Sequence, residues 1–460
     1  MIYQQLFEKN GSKTRVRAGV IGTGHYATAV ITQAQAIPQL DVPVVCDRDV
    51  EAACQALNHA GLDDEAFVIC ENRQQALTAI EQGKRAIVAD AMLLMDLPID
   101  VVVEATGSPE YSALHAAEAL KHGKHVAMVS KEADAVVGPI LKYRADQAGL
   151  VYTAVDGDQH GLLIGLVQWA RDLGLEVVCG GKALDSELVF DDTSISRRNT
   201  EIYVDPADRP VFAAAPPAQT RQYIERRHVL AGEFGGIGGF DVVEMTIAAN
   251  ATGLAPDVPE LHCPIVRVPE IPEVLAPVDD GGILSQRGVI DSVICLRQPY
   301  EAGLGGGVFI VVSCENDYSR HILVTKGLIP NSKDNMALIY RPYHLCGVET
   351  PISILTAALL NVATGTMHYR QNYDATARAV EDLKAGDRVG GDHSKNLRVL
   401  MQPAQPVAPG NRLPLHMANG NVLTQDVPAG TILTADMVQA PENSTLWRLR
   451  AEQDQMFAKA

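Results

Sequence analysis

The sequence predicts an α/β protein built on a doubly wound parallel sheet, and three observations favour this fold class. Short runs rich in Val and Ile alternate with Ala-rich amphipathic segments in the first part of the chain, as strands and helices do in parallel sheets. A glycine-rich turn joins the first apolar run to the first helical segment. Longer strand-like runs and Pro-rich segments then follow, which predicts a second α/β domain with a mixed sheet.

The predicted elements of the first domain are six strands with helices between them. The apolar runs are VRAGVI, VPVVCD, AFVIC, IDVVVEA, KHVAMVS and GLVYTAV. The helical segments include ATAVITQAQAI, EAACQALNHA and EYSALHAAEALKHG. Strands that alternate with helices in this way pair in parallel.

The second domain begins with a predicted helix, GLLIGLVQWARDLG, and a strand, EVVCGGKALDS. Its later strands are GVIDSVICL, GVFIVVSCE and ALIYRPYHL, and ETPISILTAALLNVATG is a predicted helix. The C-terminal part contains a short repeat, DLKAGDRV and DVPAGTIL, whose Ala-Gly pairs mark turns. These repeats predict a small β module, which a final helix, STLWRLRAEQDQMF, follows.

Composition narrows the functional classes. The formal net charge of −18 disfavours nucleic acid and anionic membranes as partners. No apolar run approaches the ~18 residues that a membrane span needs, and no secretory signal is recognisable. The eight cysteines lack a C-x-x-C spacing, and no histidine cluster typical of a metal site occurs. We therefore expect a cytoplasmic protein with reduced cysteines, no metal site and a small-molecule substrate.

A dinucleotide-binding loop is predicted in AGVIGTGHYATAVI. Gly22 permits a tight turn, Gly24 allows the backbone to approach a pyrophosphate, and the small Ala27 lets the helix pack on the strand. Asp47 ends the second strand, where a carboxylate binds the ribose hydroxyls of NAD, whereas the adjacent Arg48 suits the 2′-phosphate of NADP. The cofactor is therefore NAD or NADP, with NAD slightly favoured.

Two further strand ends carry candidate cofactor-binding residues. Ala105, Thr106 and Gly107 follow the strand IDVVVEA, at the edge where a nicotinamide lies in such sheets, although a structural turn explains them too. Lys131 follows the next strand in MVSKEADAVVG. A partly buried lysine with a lowered pKa can stabilise an alkoxide and transfer its proton. The alternative is a lysine that extends from a strand end into solvent.

The order and spacing of several motifs resemble the homoserine-dehydrogenase-like NAD(P)-binding oxidoreductases with a C-terminal SAF domain. The motifs are VIGTGHYATAV, VVVEATGSPE, MVSKEADAVVGP, VDGDQHG, VVCGGKALDS, EMTIAANATGL, IYRPYHL and VPAGTILTADMV. The group includes proteins described as deoxyxylulose-phosphate-reductoisomerase-like. The resemblance extends from about residue 12 to about residue 455.

The resemblance implies four segments and a homo-oligomer, a dimer or a larger assembly. They are a Rossmann NAD(P)-binding domain (12–157), a catalytic and dimerisation domain (158–372), a SAF-like β-clip module (373–445) and a C-terminal helix and tail (446–460). Lys131 matches the lysine that homoserine dehydrogenases place beside the nicotinamide and the substrate. Lys182 matches a lysine at the start of the second domain and is the other catalytic candidate. The homoserine dehydrogenase stretch that pairs a catalytic aspartate and lysine is absent.

Candidate substrate-binding residues rest on weaker grounds. They lie at the junction of the two domains, at a helix end and at a strand end, where structural roles are equally consistent with the sequence. They are Asp158, Gln159, Asn250, Arg341 and His344.

These features favour an NAD(P)-dependent oxidoreductase. It would transfer a hydride between nicotinamide and a small anionic hydroxy or carbonyl compound, with acid–base assistance from lysine. One alternative is an enzyme like 1-deoxy-D-xylulose 5-phosphate reductoisomerase, which uses NADPH and a divalent metal. Another is a non-enzymatic regulatory scaffold that binds a dinucleotide.

Overall fold

The protein is described by a computed structural model for residues 2–9 and 15–457. The predicted start of the first domain at residue 12 and residues 458–460 of the predicted tail lie outside the described residues. The strands of the first domain are β1 (Val16–Ile21), β2 (Leu40–Cys46), β3 (Phe67–Ile69), β4 (Arg85–Val88), β5 (Val101–Glu104), β6 (His125–Met128) and β7 (Tyr152–Ala154). Its helices are α1 (Ile2–Lys9), α2 (His25–Ala34), α3 (Val50–His59), α4 (Arg73–Glu81), α5 (Ala91–Met95), α6 (Pro109–Lys121) and α7 (Lys131–Gln147).

The first sheet is parallel throughout and has the strand order β3-β4-β2-β1-β5-β6-β7. Every residue of β2 and β5 is buried, because helices cover both faces of the sheet. The predicted doubly wound parallel sheet is therefore confirmed. The order reverses beside β1, so the carboxyl ends of β1 and β5 open a crevice at the switch point.

Two elements of this domain are not predicted by the sequence pattern. The strand β4 has only four residues and follows the polar turn Gly83–Lys84, so the run of apolar residues is short. The helix α7 begins at Lys131, immediately after the loop that follows β6. Lys131 thus occupies the first turn of a helix at the carboxyl edge of the sheet.

The second domain has a mixed sheet, as predicted. Its strands are β8 (Glu176–Ala183), β9 (Leu188–Phe190), β10 (Ser194–Arg197), β11 (Thr200–Tyr203), β12 (Ala255–Pro256), β13 (Ile265–Val266), β14 (Val289–Arg297), β15 (Val308–Ser313), β16 (Ile329–Pro330) and β17 (Met336–Arg341). Its helices are α8 (Gln159–Asp172), α9 (Thr220–Ala231), α10 (Gly239–Thr252), α11 (Ile271–Val274), α12 (Asp317–Thr325) and α13 (Thr350–Leu355). The central strand β8 pairs in parallel with β14 and antiparallel with β15. The helices α8 and α10 pack together and bring the first turn of α10 close to β8.

The C-terminal part is a small β module followed by a helix. It contains β18 (Tyr373–Ala379), β19 (Leu397–Pro403), α14 (Leu415–Ala418) and α15 (Thr445–Phe457), and β18 and β19 are antiparallel. The two copies of the sequence repeat face each other: Asp426 accepts a hydrogen bond from the Ala385 N–H at 2.9 Å, and Asp382 accepts one from the Ala429 N–H at 2.8 Å.

Both glycines of the repeat adopt the left-handed conformation that the Ala-Gly turns predict. The φ angles are +92° at Gly386 and +84° at Gly430. In the described part of the chain, no helix is long and apolar enough to cross a membrane.

Candidate active site

The glycine loop after β1 has the geometry of a dinucleotide cradle. Gly22 has a φ of +90°, and a Cβ added there would lie 2.5 Å from the carbonyl oxygen of Ala105. A Cβ added at Gly24 would meet no atom within 4 Å, so the space above this residue is open. Gly24 is the N-cap of α2 and no side chain caps the helix, so the first N–H groups of α2 face this space. These residues fit the pyrophosphate of a dinucleotide.

Asp47 is tied to this loop. Its Oδ2 accepts hydrogen bonds from the N–H of Thr23 at 2.9 Å and from the Thr23 hydroxyl at 2.7 Å. Arg48, next to it, is exposed. Both residues line the same cavity as the glycine loop, at the position where the adenosine ribose binds in such folds.

The cavity at the switch point has a volume of about 520 Å³. It extends from the glycine loop past the carboxyl end of β2 to the loop after β5. Of the predicted cofactor residues, it is lined by Gly22, Gly24, Asp47, Arg48, Ala105 and Thr106. A cavity of this size and position is consistent with a bound dinucleotide.

The loop after β5 connects this cavity to Lys131. The N–H of Gly107 donates a hydrogen bond to the hydroxyl of Ser130 at 2.8 Å, so the two loops are joined one residue before Lys131. The hydroxyl of Thr106 donates to Oε1 of the buried Glu104 at 2.7 Å. The other oxygen of Glu104 is buried and has no partner among the described residues.

Lys131 contacts a carboxylate of the second domain that a second lysine also binds. Its Nζ donates to Oε1 of Glu244, on α10, at 3.0 Å. Lys182, on β8, donates to the other oxygen of Glu244 and lies 2.6 Å from Oδ1 of Asp241. Glu244 thus bridges the two lysines, and the cluster of Lys131, Lys182, Asp241 and Glu244 (the lysine–carboxylate cluster) joins the two domains.

The two lysines differ in exposure. The side chain of Lys131 is 20% exposed, whereas that of Lys182 is 0% exposed. Lys131 therefore presents part of its side chain to solvent, whereas Lys182 does not. Lys182 contacts Glu244 and Asp241 within the protein interior, so it acts on any substrate through them.

The opposite charges of the cluster keep Lys131 and Glu244 ionised. Burial alone would lower the pKa of Lys131, but the carboxylates of Glu244, Asp158 and Glu132 outweigh it and raise the pKa above its ordinary value. Burial would raise the pKa of Glu244, yet the charges of Lys182 and Lys131 hold it at about 2. The expectation of a lysine with a lowered pKa is therefore wrong for Lys131, because its neighbours are anionic.

Phe240 covers both lysines from one side. The centroid of its ring lies 5.2 Å from Nζ of Lys131 and 5.4 Å from Nζ of Lys182. Such contacts favour the charged form of each lysine.

Asp158 and Gln159 lie where the chain passes between the domains. Asp158 caps α8 through a 2.8 Å hydrogen bond from the N–H of Gln159, and its charge acts on Lys131. The side chain of Gln159 is buried and donates to the carbonyl of Ala183 at 2.9 Å, so it fixes the end of β8. His160 is fully buried 3.6 Å from Asp158, and both of its ring nitrogens lack partners among the described residues.

Asn250 has a structural role. Its side chain is buried, accepts the N–H groups of Asn372 and Tyr373, each at 2.9 Å, and donates to the carbonyl of Tyr373. All of its hydrogen-bonding groups thus hold the start of the C-terminal module. The expectation of a substrate contact at Asn250 is therefore corrected to a structural role. Helix α10 ends at Thr252 and is capped by Gly253, whose φ is +73°.

Arg341 is the last residue of β17, and His344 lies in the segment that follows. Arg341 pairs with Glu349, and its guanidinium stacks 4.6 Å from the ring centroid of Tyr343. Nδ1 of His344 is 2.6 Å from the carbonyl oxygen of Gly306. Both polar groups therefore have partners within the protein, and neither residue is part of the lysine–carboxylate cluster.

Several residues of the site do not stand out in the sequence. Asp241 and Glu244 are three residues apart on α10, which places them on one face of the helix. That spacing is the one signal the sequence offers, and it does not identify lysines on β8 and α7 as partners. Within the described residues, no group of three or more His, Cys, Asp or Glu side chains is arranged to hold a metal ion.

Two protein-family models match this chain, and both describe parts of oxidoreductases. The NAD-binding domain of homoserine dehydrogenase matches residues 18–152. The catalytic domain of oxidoreductase DRL matches residues 233–350, which include Asp241 and Glu244. Together they support an NAD(P)-dependent oxidoreductase with a nicotinamide cofactor. Neither match describes a SAF domain or a reductoisomerase, so those remain predictions.

Solved structures show distant likenesses. Apo scyllo-inositol dehydrogenase from Lactobacillus casei is 12% identical with a TM-score of 0.36, over 77% of this chain and 92% of that chain. An oxidoreductase domain protein from Kribbella flavida is 19% identical with a TM-score of 0.26, over 39% of this chain and 44% of that chain. GenD2 from gentamicin A biosynthesis, in complex with NAD, is 20% identical with a TM-score of 0.26, over 40% of this chain and 48% of that chain.

This chain thus covers less than half of the length of the last two structures. A search of curated protein sequences finds no match. The fold assignment rests on the strand order and on the two family matches.

Proposed function

We propose that this protein transfers a hydride between NAD and a small anionic hydroxy or carbonyl compound, in the crevice between its first two domains. The observation that carries the proposal is the position of Lys131. It lies at the carboxyl edge of the first sheet, beside the loop after β5. Its side chain is partly exposed, and its Nζ is held 3.0 Å from Glu244 of the second domain.

When bound, the nicotinamide supplies or accepts the hydride. The ammonium group of Lys131 donates a hydrogen bond to the reacting oxygen and stabilises the negative charge that develops there. In the direction of carbonyl reduction, Nζ of Lys131 supplies the proton to this oxygen, and the carboxylate of Glu244 stabilises the protonated state of the lysine between turnovers. The raised pKa keeps Lys131 protonated at neutral pH, so its main contribution is a fixed positive charge beside the reacting oxygen.

Lys182 is a positioning residue in this scheme. Its buried ammonium binds the second oxygen of Glu244 and so fixes the first oxygen toward Lys131. Asp241 compensates the charge of Lys182, so that two cations and two anions are buried together.

NAD is favoured over NADP because a carboxylate ends β2. Asp47 is held by Thr23 of the glycine loop and lines the same cavity as Gly24. A carboxylate at this position binds ribose hydroxyls and repels a 2′-phosphate. The exposed Arg48, in contrast, suits the 2′-phosphate of NADP.

The test is an assay of the purified protein with NAD(H) and a panel of hydroxy acids, sugar acids and their carbonyl counterparts. On the compound that reacts, Lys131→Met is expected to lower kcat by about 10²- to 10⁴-fold and to change the Kd for NADH less than about two-fold. Lys142→Met is the matched control, because Lys142 lies on the same helix and pairs with Asp146. An unchanged kcat in Lys131→Met would rule out the role assigned to this lysine.

A further inference from the structure

The C-terminal module meets the second domain beside the lysine–carboxylate cluster. A Cβ added at Gly239, in the first turn of α10, would lie 2.3 Å from the carbonyl oxygen of Asp392 and 2.6 Å from a methyl group of Val399. The backbone of the module therefore packs directly on the turn that carries Phe240 and Asp241. The C-terminal module therefore bounds the lysine–carboxylate cluster on the side of α10.

A cavity of about 300 Å³ lies at this junction. The ring of Phe240 forms one side of it and contacts the two lysines, which lie 5.2 and 5.4 Å from the ring centroid. The ring of His393, from the module, lies 5.1 Å from the same ring. The module contributes five polar side chains to the lining: Asp392, His393, Ser394, Lys395 and Arg398.

The basic side chains of this cavity are not neutralised by the protein. In the described part of the chain, neither Lys395 nor Arg398 has a carboxylate within ion-pair distance. Arg398 lies directly opposite Arg378 on the paired strand, and Arg378 is the one that binds Glu260, at 2.9 Å. Like charges in this position destabilise a sheet. Arg398 is exposed, so its guanidinium is available to bind an anion that enters the cavity.

Asp392, which lines the cavity, has a buried oxygen without a partner among the described residues, and the unpartnered His416 lies behind it, outside the lining. Oδ2 of Asp392 is buried without a hydrogen bond and lies 3.7 Å from Nε2 of His416. His416 is 3% exposed and both of its nitrogens lack partners among the described residues. Burial lowers the pKa of His416 to about 4, so its ring is neutral at pH 7. Unpartnered groups of this kind are rare in folded proteins, and a ligand hydroxyl group in the cavity would satisfy Oδ2 of Asp392.

We propose that this cavity is a subsite of the active centre, in which Lys395 and Arg398 bind the anionic group of the substrate. The proposal rests on the proposed function and refines its substrate class. The substrate is a short hydroxylated chain with a carboxylate or a phosphate at the end remote from the reacting oxygen. Arginine and lysine bind both anions through charge-assisted hydrogen bonds.

The experiment compares wild type with Lys395→Gln, Arg398→Gln and the double variant by titration calorimetry. Inorganic phosphate and acetate are the two probes, each measured with and without saturating NADH, which occupies the loop around Gly24. Lys384→Gln is the control, because Lys384 is an exposed lysine of the same module that pairs with Asp426. We expect each single substitution to weaken binding of the preferred probe by about ten-fold, the double variant to abolish it and the control to leave it unchanged.

The probe that binds more tightly shows whether the subsite prefers a phosphate or a carboxylate. Equal binding by the double variant and wild type would overturn the subsite, and so would a wild type that binds neither probe at millimolar concentration. Failure of NADH to bind would instead contradict the proposed function. The comparison of variants without NADH still decides the subsite in that case.

Discussion

At the scale of single residues, the behaviour of Lys131 follows from its neighbours. A lysine next to a nicotinamide is often regarded as a base, which requires a lowered pKa. Here the carboxylates of Glu244 and Asp158 keep the lysine charged, in spite of its burial. The sequence locates Lys131 correctly at the carboxyl edge of the sheet. It does not reveal the charge state, because Glu244 lies 113 residues away in the sequence.

Glu132 gives a pH-dependent prediction at this scale. Burial raises its pKa to about 7, although Lys131 opposes the shift. The unfolded chain releases this proton near pH 4.5, so the native state becomes less stable as the pH rises from about 4.5 to about 7. Glu132→Gln is therefore expected to be more stable than wild type at pH 8, by about 3 kcal/mol at 1.36 kcal/mol per pH unit.

Urea unfolding at a series of pH values measures this difference. The difference between Glu132→Gln and wild type should disappear below about pH 4.5. Glu118→Gln, on α6, is the control for the chemical substitution itself. An offset that is constant from pH 4 to pH 8 would contradict the raised pKa of Glu132.

At the scale of elements, the sequence predicts what local patterns determine. Alternating apolar and helical segments identify six of the seven strands of the first sheet, and Gly22 and Gly24 identify the loop after β1. Helix α7 is missed because every residue from 133 to 141 is buried, so the helix has no polar face there and shows no amphipathic period. The pairing of Lys182 with Asp241 and Glu244 depends on how α10 packs against β8, which no local pattern contains.

The two glycines of the cofactor loop are expected to respond differently to substitution. Gly22→Ala forces a side chain into the left-handed region and against the carbonyl of Ala105, so it should lower stability by at least about 1–2 kcal/mol. Gly24→Ala meets open space at a φ of −67°, so stability should stay within about 0.5 kcal/mol of wild type. Its Cβ fills the space assigned to the pyrophosphate, so the Kd for NADH should rise at least about ten-fold.

Thermal unfolding and an NADH titration of both variants provide the measurement. Normal NADH affinity in a well-folded Gly24→Ala would show that the pyrophosphate binds elsewhere. Unchanged stability of Gly22→Ala would show that the loop can shift so that the added Cβ avoids the carbonyl oxygen of Ala105.

At the scale of the whole molecule, the C-terminal helix ties the β module to the cofactor domain. Glu110, on α6 near the loop after β5, accepts the N–H groups of Thr445 and Leu446 at 2.6 and 3.3 Å and so caps α15. Farther along α15, the fully buried Arg450 binds both oxygens of Asp374 at 2.7 Å and Asp454 at 2.7 Å. The position of the module beside the lysine–carboxylate cluster depends on these contacts.

Replacement of Arg450 by Met is expected to loosen the module selectively. It leaves the buried Asp374 and Asp454 without a cation, which costs on the order of 3–5 kcal/mol. Hydrogen exchange should become faster in residues 373–440 and stay unchanged in the first sheet. Arg448→Met, at an exposed position of the same helix, is the control. Equal exchange in Arg450→Met and wild type would contradict this role.

The central claim is that the crevice beside Lys131 binds a nicotinamide dinucleotide. A fluorescence titration of the purified protein with NADH and with NADPH tests it most directly. We expect saturable binding of one NADH per chain, with NADH tighter than NADPH because of Asp47. Tighter binding of NADPH would transfer the ribose-binding role to Arg48 and leave the enzyme assignment intact. If neither nucleotide binds, the crevice beside Lys131 is not a nicotinamide dinucleotide site.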